Sequence, residues 1–378
     1  MDFSYTDEQV MLRDTLARFI ADRYDFETRR RTTAAEPGWS PEVWKAFAEE
    51  LGILGAGFSE ESGGLGGGAV EHMIVMEEIG KGLVVEPYLG TAVIGGGFLR
   101  HAGGELAEEL IPGVVAGEVI GAFAYAEPKG RYDLHDIQTT ARRDGEGWRI
   151  DGRKAVVVGA LWATHLFVTA RTGGGRRERS GVAVFVVETS AAGIATRDYP
   201  TVDGRRASEI TFENTPARLL GEAEAGADLL DRVVDEAIAA VCSEAVGCMR
   251  KLHENTLDYA RQRKQFGRPI SEFQVLQHRM VDIFMEVEQA VSMTLMATLK
   301  LGEAAEARAA AVSAAKSKIA RGARFAGQAA VQIHGGMGIT EELSTGHYFK
   351  RSTVIEGLFG DADHHLRRFE RLTLGRAA

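Results

Sequence analysis

The spacing of apolar and polar positions divides the chain into three stretches. As far as about residue 117 the period is helical. Thr6 followed by Gln9 predicts a capping box, after which Leu12, Leu16, Phe19 and Ile20 form one apolar face. In "WSPEVWKAFAEELGILG", Ser40 is placed to cap a helix and Pro41 to open it. Val43, Trp44, Phe47 and Leu51 share a face, and Gly52 marks the stop. "SGGLGGG" (62–68) reads as a flexible loop, and without the Gly-Lys-Ser/Thr ending of a P-loop it carries no phosphate role. From 118 to about 220 short β-rich runs take over: "VIGAFAYA", "QTTARR", "WRIDG", "KAVVV", "HLFVTAR", "VAVFVVE" and "SEITFEN". Turn clusters such as Asp144–Gly147 separate them, the spacing of a small antiparallel barrel or sandwich. From 221 onward the helices are long. Phe284, Val287, Val291, Leu295 and Leu299 step by three and four, as do Val312, Ala315, Ile319, Gly322, Ala326, Ala329 and Ile333. The second series predicts a seam between closely packed antiparallel helices. The expected class is α+β: an N-terminal helical domain (1–117), a middle antiparallel β-barrel or sandwich domain (118–220) and a C-terminal four-helix bundle (221–378).

Composition narrows the options. The 378 residues are 45% hydrophobic and 26% charged, ordinary for a soluble protein, and the net charge of −10 argues against a nucleic-acid surface. Arg176, Arg177 and Arg179, with Glu178 between them, read as a solvated hairpin tip. Cys242 and Cys248 lack metal-type spacing and suggest a reduced, cytoplasmic protein. "MDFSYTDEQV" lacks the basic-then-apolar order of a signal peptide, and no run of about twenty apolar residues predicts a membrane span.

Three stretches carry candidate chemistry. "FAYAEPKGRYD" (123–133) is a strand that stops at a Pro and exposes backbone, a common way to build a ligand-facing turn. "YARQRKQFGRPISEFQVLQHRMVD" (259–282) is a helix bearing Arg261, Arg263 and Lys264 that stops at Gly267. Ser271 is placed to cap the next helix, with Gln274 in the capping-box position. Such a corner suits a phosphate or pyrophosphate, and a solvated basic corner is the plainer alternative. "QIHGGMGIT" (332–340) ends a long helix in glycines; Gly335 and Gly336 let backbone approach a ligand.

Together and in this order, these stretches and "EESGGLGGG" resemble the acyl-CoA dehydrogenase family over essentially the whole chain. "ADRYDFE", "EPYLGT", "YPTVDG" and "HYFKR…LFGDADHHL" are similar to the small-subunit type of pimeloyl-CoA dehydrogenase. The resemblance implies a tetramer-forming flavoprotein acting on an acyl-CoA thioester and passing electrons to an acceptor protein. FAD would lie between the β domain and the bundle, its ADP half reaching a neighbouring subunit. Arg263, Phe266 and Ile270 would contact that neighbour's FAD, and Gln332 and Gly336 would complete the grip, with Gly335 beside them. His364 would lie at a position close to FAD. The small-subunit likeness further implies a Glu-bearing large-subunit partner.

The sequence departs from the family at the reacting centre. Where members carry Thr-Glu-Pro-x-x-Gly-Ser-Asp, the hydroxyl positions here are Ala126, facing flavin, and Tyr132, facing flavin or substrate. The wall that usually reads Trp-Ile-Thr/Ser-Asn is Val156 to Gly159, with Val158 at the hydroxyl position. Dehydrogenation needs a carboxylate to take the α-proton while hydride leaves Cβ. The two positions that carry it in relatives are Gly360 and Ala237. The nearest acids are Asp361, one residue away, and Glu244, seven residues beyond Ala237 and about 10 Å along the helix. Asp361 and Asp363 also suit the N-terminal charge of a last helix, and Glu244 a structural hydrogen-bonding role. Asp361, His364 and His365 share a helical face at metal-like spacing, but no second ligand group accompanies them, and no metal is expected. Three readings follow. One is a dehydrogenase component completed by a partner, with a self-sufficient homotetramer as its variant. The second is a scaffold or regulatory subunit without flavin, and the third another flavin oxidation on the same fold.

Overall fold

The computed structural model describes residues 4–375, so the first three residues of "MDFSYTDEQV" lie outside the described residues. Helices α1 (Asp7–Arg23), α2 (Phe26–Ala34), α3 (Pro41–Glu49), α4 (Ala69–Gly82), α5 (Gly96–Ala102) and α6 (Gly104–Val115) come first. Strands β1 (Gly121–Ala124), β2 (Thr140–Asp144), β3 (Gly147–Val158), β4 (His165–Arg171), β5 (Val182–Glu188), β6 (Ile194–Pro200) and β7 (Arg206–Leu219) follow. Then come α7 (Gly226–Gln262), the small hairpin β8 (Lys264–Gln265) and β9 (Arg268–Pro269), α8 (Gln274–Leu299), α9 (Ala305–His334), α10 (Ser344–Gly357) and α11 (Ala362–Leu374). None of the described helices is long and apolar enough to cross a membrane. Two compact units result. One takes the chain up to Arg31, Ala69–Val84 and everything from Ile238; the other takes Thr32–Gly68 and Val85–Ala237.

In the first unit, the Thr6 hydroxyl accepts from the Gln9 amide and the Gln9 side chain accepts from the Thr6 amide, which starts α1. The α9 seam from Val312 to Ile333 is buried along its length. On α8 the expected stripe is displaced by about one residue around the helix. Met280, Ile283, Val287, Ala290 and Thr294 are buried, whereas Phe284 is 48% and Leu299 47% exposed. This helix carries apolar residues on two sides, and periodicity alone does not say which side faces the core. Ser271 does not cap α8: it sits in a short 3₁₀ turn, and the N-cap is Phe273, which makes no side-chain cap. Gln277 instead donates to the Ser271 carbonyl at 2.9 Å.

Helices α4 and α7 cross at glycines. A Cβ on Gly80 would lie 2.1 Å from the Glu244 carbonyl oxygen, and one on Gly247 2.0 Å from that of Glu77. The two backbones therefore touch where any side chain would hold them apart.

In the second unit, the Ser40 hydroxyl accepts from the Val43 amide with Pro41 at the helix start, and Val43, Trp44 and Phe47 are buried. The glycine loop is built rather than loose. The amides of Gly64, Leu65 and Gly66 donate to the carbonyls of Ser59, Gly55 and Phe58, and a Cβ on Gly64 would meet Phe58 O at 2.3 Å. The strands close into a ring, β4-β2-β3-β7-β5 and back to β4, with β1 added beside β4 and β6 beside β7. The barrel is antiparallel except for β1 on β4 and a single β2–β4 bridge, both parallel. "WRIDG" and "KAVVV" are one strand, β3, with register shifts after Ile150 and after Lys154. Ile150, Val168, Phe185, Ile210 and Phe212 fill the barrel.

Gly80→Ala and Gly247→Ala each ought to raise intrinsic helix propensity yet lower stability by about 1–3 kcal/mol, because the new methyl meets backbone. Urea denaturation of the two variants measures this; a stability gain would show that the crossing tolerates a side chain.

Candidate functional site

In the second unit the turn after β1 is fastened by a buried ion pair. Glu127 and Lys154 are 2% and 0% exposed in their side chains, with Lys154 Nζ 2.8 Å from Oε1. Lys154 also donates to Thr169 Oγ1 at 3.1 Å, and Glu127 accepts from the amides of Gln138 at 2.7 Å and Thr139 at 3.0 Å. Burial pushes the Lys154 ammonium down to about 8, with Glu127 opposing. Burial alone would raise the Glu127 carboxyl, but Lys154 and Thr139 outweigh it and hold it below its ordinary value. Glu127 is thus spent on positioning. Lys154, at the head of the apolar run "KAVVV" beside Arg153, was the available signal for the partner of Glu127 and does not stand out from the sequence alone.

The Ala155 amide donates to the Ala126 carbonyl at 2.8 Å, which brings the turn against the strand end Val156–Gly159. Val156 stands 53% exposed with φ +53°, a conformation that β-branched residues avoid, and Val158 is 37% exposed. Ala126 and Tyr132 are half-buried. The face so formed is aliphatic and presents no hydroxyl at positions 126, 156 or 158. The basic loop after β4 is not an idle tip. Arg171 donates to the carbonyls of His135, Ile137, Arg176, Glu178 and Ser180. Arg176 and Arg177 pair with the buried Asp136, while Arg179 pairs with Asp228 and Asp231.

In the first unit, Glu244 is fully buried and both its oxygens accept from Arg351 of α10, at 2.7 and 2.6 Å. A carboxylate fully buried and held bidentately by a guanidinium is a weak base with no access to a carbon acid, and the catalytic expectation for Glu244 gives way to a structural one. Asp361 is the N-cap of α11, accepting from the His364 amide at 2.7 Å. Gly360 has φ +119°, and a Cβ there would lie 2.6 Å from His364 Cδ2 and 2.8 Å from His365 Nε2. The slot is therefore closed as well as empty. Lys316, buried in α9, donates to the carbonyls of Ile355, Glu356 and Gly360 at 2.8–2.9 Å, and burial pushes it down to about 8. The His365 ring faces the Phe359 carbonyl at 3.0 Å and Ser313 Oγ at 3.4 Å; burial pushes it down to about 2. His364 packs edge-on against His365, and among the described residues no group of acids, His and Cys is placed to hold a metal.

The two proposed pyrophosphate stretches meet in this same unit. Tyr259 stacks on His334 with centroids 4.3 Å apart and donates to its carbonyl at 3.3 Å. Arg263 leads into the β8–β9 hairpin, closed where the Ile270 amide donates to the Arg263 carbonyl at 2.8 Å. At its tip Phe266 is 93% exposed with φ +53°, while Ile270 is buried. Gln332 is exposed, and nothing lies within 4 Å of a Cβ placed on Gly335 or Gly336, so backbone there is open to a ligand. These residues fit the nucleotide half of FAD; the aliphatic face of the other unit lacks the donors expected for its ring.

Comparison with known proteins covers nearly the whole chain. Residues 6–118, 122–215 and 225–372 match the N-terminal, middle and C-terminal domains of the acyl-CoA dehydrogenases. Acyl-CoA dehydrogenase IpdE2 of Mycolicibacterium smegmatis is 30% identical over 97% of this chain and 98% of its own. The steroid ACAD Tcur3481-Tcur3483 superposes with a TM-score of 0.88 at 28% identity, over 98% of each chain. PigA, solved with FAD and proline, does so with a TM-score of 0.90 at 26% identity, over 99% of each chain.

Two outcomes are expected from this geometry. Glu244→Ala should cost about 3–5 kcal/mol in denaturant unfolding, since it strands Arg351 in the interior, whereas Asp361→Asn should cost under about 1 kcal/mol. Acidification should destabilise the barrel unit. Glu127, held low when folded, binds fewer protons than in the unfolded chain, so its stabilisation holds above the ordinary 4.5 and fades as pH falls through its folded value. In a pH series of thermal melts, Glu127→Gln should flatten that limb.

Proposed function

This chain belongs to the acyl-CoA dehydrogenase family, and on that premise we propose that it serves FAD-linked α,β-dehydrogenation of an acyl-CoA thioester as the small subunit of a two-component enzyme. One observation carries the reading: neither position for the proton-accepting carboxylate holds an acid, and at Gly360 His364 and His365 occupy the space a side chain would need. FAD, when bound, accepts the hydride that leaves Cβ. The α-proton must then go to a carboxylate that this chain does not supply.

What the chain keeps is the nucleotide grip. Arg263, Phe266, Ile270, Gln332, Gly335 and Gly336 are assigned to the ADP half of FAD seated in the neighbouring, Glu-bearing subunit. The relative solved with FAD supports the cofactor, and the paired name Tcur3481-Tcur3483 supports a hetero-oligomeric assembly. A tetramer passing electrons to an acceptor protein is the corresponding assembly. Cys242 and Cys248 are buried and form no disulfide, which fits a reducing cytoplasm. The second reading is a scaffold or regulatory subunit that carries no flavin. It is favoured by the aliphatic face at Ala126, Val156 and Val158.

Acyl-CoA-dependent dye reduction tests the assignment. The chain alone should give no turnover, and the co-purified complex should be yellow and active. A glutamate-to-glutamine change at the partner's base should abolish activity. Arg263→Ala should weaken FAD retention by the complex about tenfold, read as flavin absorbance after desalting. Turnover by the chain alone would refute the obligate partner. A complex that is colourless even with added FAD would favour the scaffold.

A further inference from the structure

The turn that follows β1 carries two residues in the left-handed backbone region, Lys129 at φ +73° and Arg131 at φ +51°. Residues with a Cβ avoid that region because it crowds the following carbonyl, and glycine is its usual occupant. The one glycine of the turn, Gly130, stands between them and is not among the positive-φ glycines. The turn is also too well held to relax. Gly130 N donates to Glu127 O at 3.0 Å, Asp133 N to Gly130 O at 3.3 Å, and His135 N to the Asp133 carboxylate at 3.0 Å. Beneath them, Glu127 is locked to Lys154 and Arg171 grips the His135 carbonyl.

Both side chains are exposed, and neither makes an ion pair or hydrogen bond among the described residues. The surrounding charge does not supply a counter-ion. Asp136 is already shared by Arg176 and Arg177, and Asp133 accepts from His135 N. The rim is therefore cationic in a chain whose net charge is −10. Two like charges two residues apart, both on strained backbone and without a partner, are unfavourable on each count. Strain that the surrounding structure enforces is typical of ligand clamps.

We propose that Lys129 and Arg131 form a phosphate-binding pair that holds an anionic ligand without turning it over. A guanidinium fork beside an ammonium suits a phosphate or pyrophosphate, either carried by a nucleotide-linked thioester carrier or free in solution. The site is one of binding only, so the inference stands apart from which subunit supplies the base.

Calorimetric titration of the isolated chain with coenzyme A, pyrophosphate and pantetheine, which lacks phosphate, tests the pair. Lys129→Gly/Arg131→Gly removes charge and strain together, and Lys129→Gln/Arg131→Gln removes charge alone. Both variants should bind coenzyme A at least tenfold more weakly than the unaltered protein, with pantetheine unchanged and the difference shrinking as salt is added. The glycine variant should melt at the same or a higher temperature. A matching loss for pyrophosphate would show that free phosphate suffices; a loss for coenzyme A alone would place the phosphate on the carrier. Equal coenzyme A affinity in all three proteins overturns the proposal. So does a fall in melting temperature of the glycine variant, which would make the two residues structural. Dye reduction in the complex is read separately, so failure of the pair and failure of the dehydrogenase assignment are distinct results.

Discussion

A fully buried carboxylate on α7 and a guanidinium on α10 exchange two charge-assisted hydrogen bonds where neither reaches water. Such a pair adds little net stability over apolar packing, but half of it alone is very costly. Glu244 and Arg351 therefore commit each other to one geometry. The backbone of Glu244 is also what Gly80 of α4 touches, so one residue joins α4, α7 and α10. At the C-terminal end of α10, Lys316 takes over by holding three carbonyls.

That arrangement explains how an acid so close to the expected base came to have another role. Glu244 sits about two turns from Ala237 on the same helix, yet its carboxylate points to a partner 107 residues on. At Gly360, the space a side chain would need is taken by two histidines. His365 is kept neutral by burial, and its packing against Phe359 O fixes the loop in a conformation that suits glycine.

Local chemistry was the legible part of the sequence. Both N-terminal caps, the α9 seam and most strands were visible because each depends on residues a few positions apart. β6 went unseen because its residues are mostly exposed, and without alternation it carries no strand signal. The glycine loop looked flexible because composition does not reveal close backbone approach. Ser271 was misplaced by two residues because a 3₁₀ turn intervenes before α8. At the candidate site, the assignments of Gly360 and Ala126 rest on the resemblance to a family pattern. The pairings Glu244–Arg351 and Glu127–Lys154 join distant segments and no local rule reveals them.

Lys316 and Arg171 share a habit: each is a deeply placed cation that holds a loop by its carbonyl oxygens rather than by its side chains. A carbonyl is the same whatever residue bears it. Loops anchored in this way keep their path while their sequence drifts, provided the backbone angles are allowed. The loops held by Lys316 and Arg171 thus owe their paths to backbone atoms rather than to the side chains they display. In this molecule the course of such loops and the chemistry they present are set by different atoms.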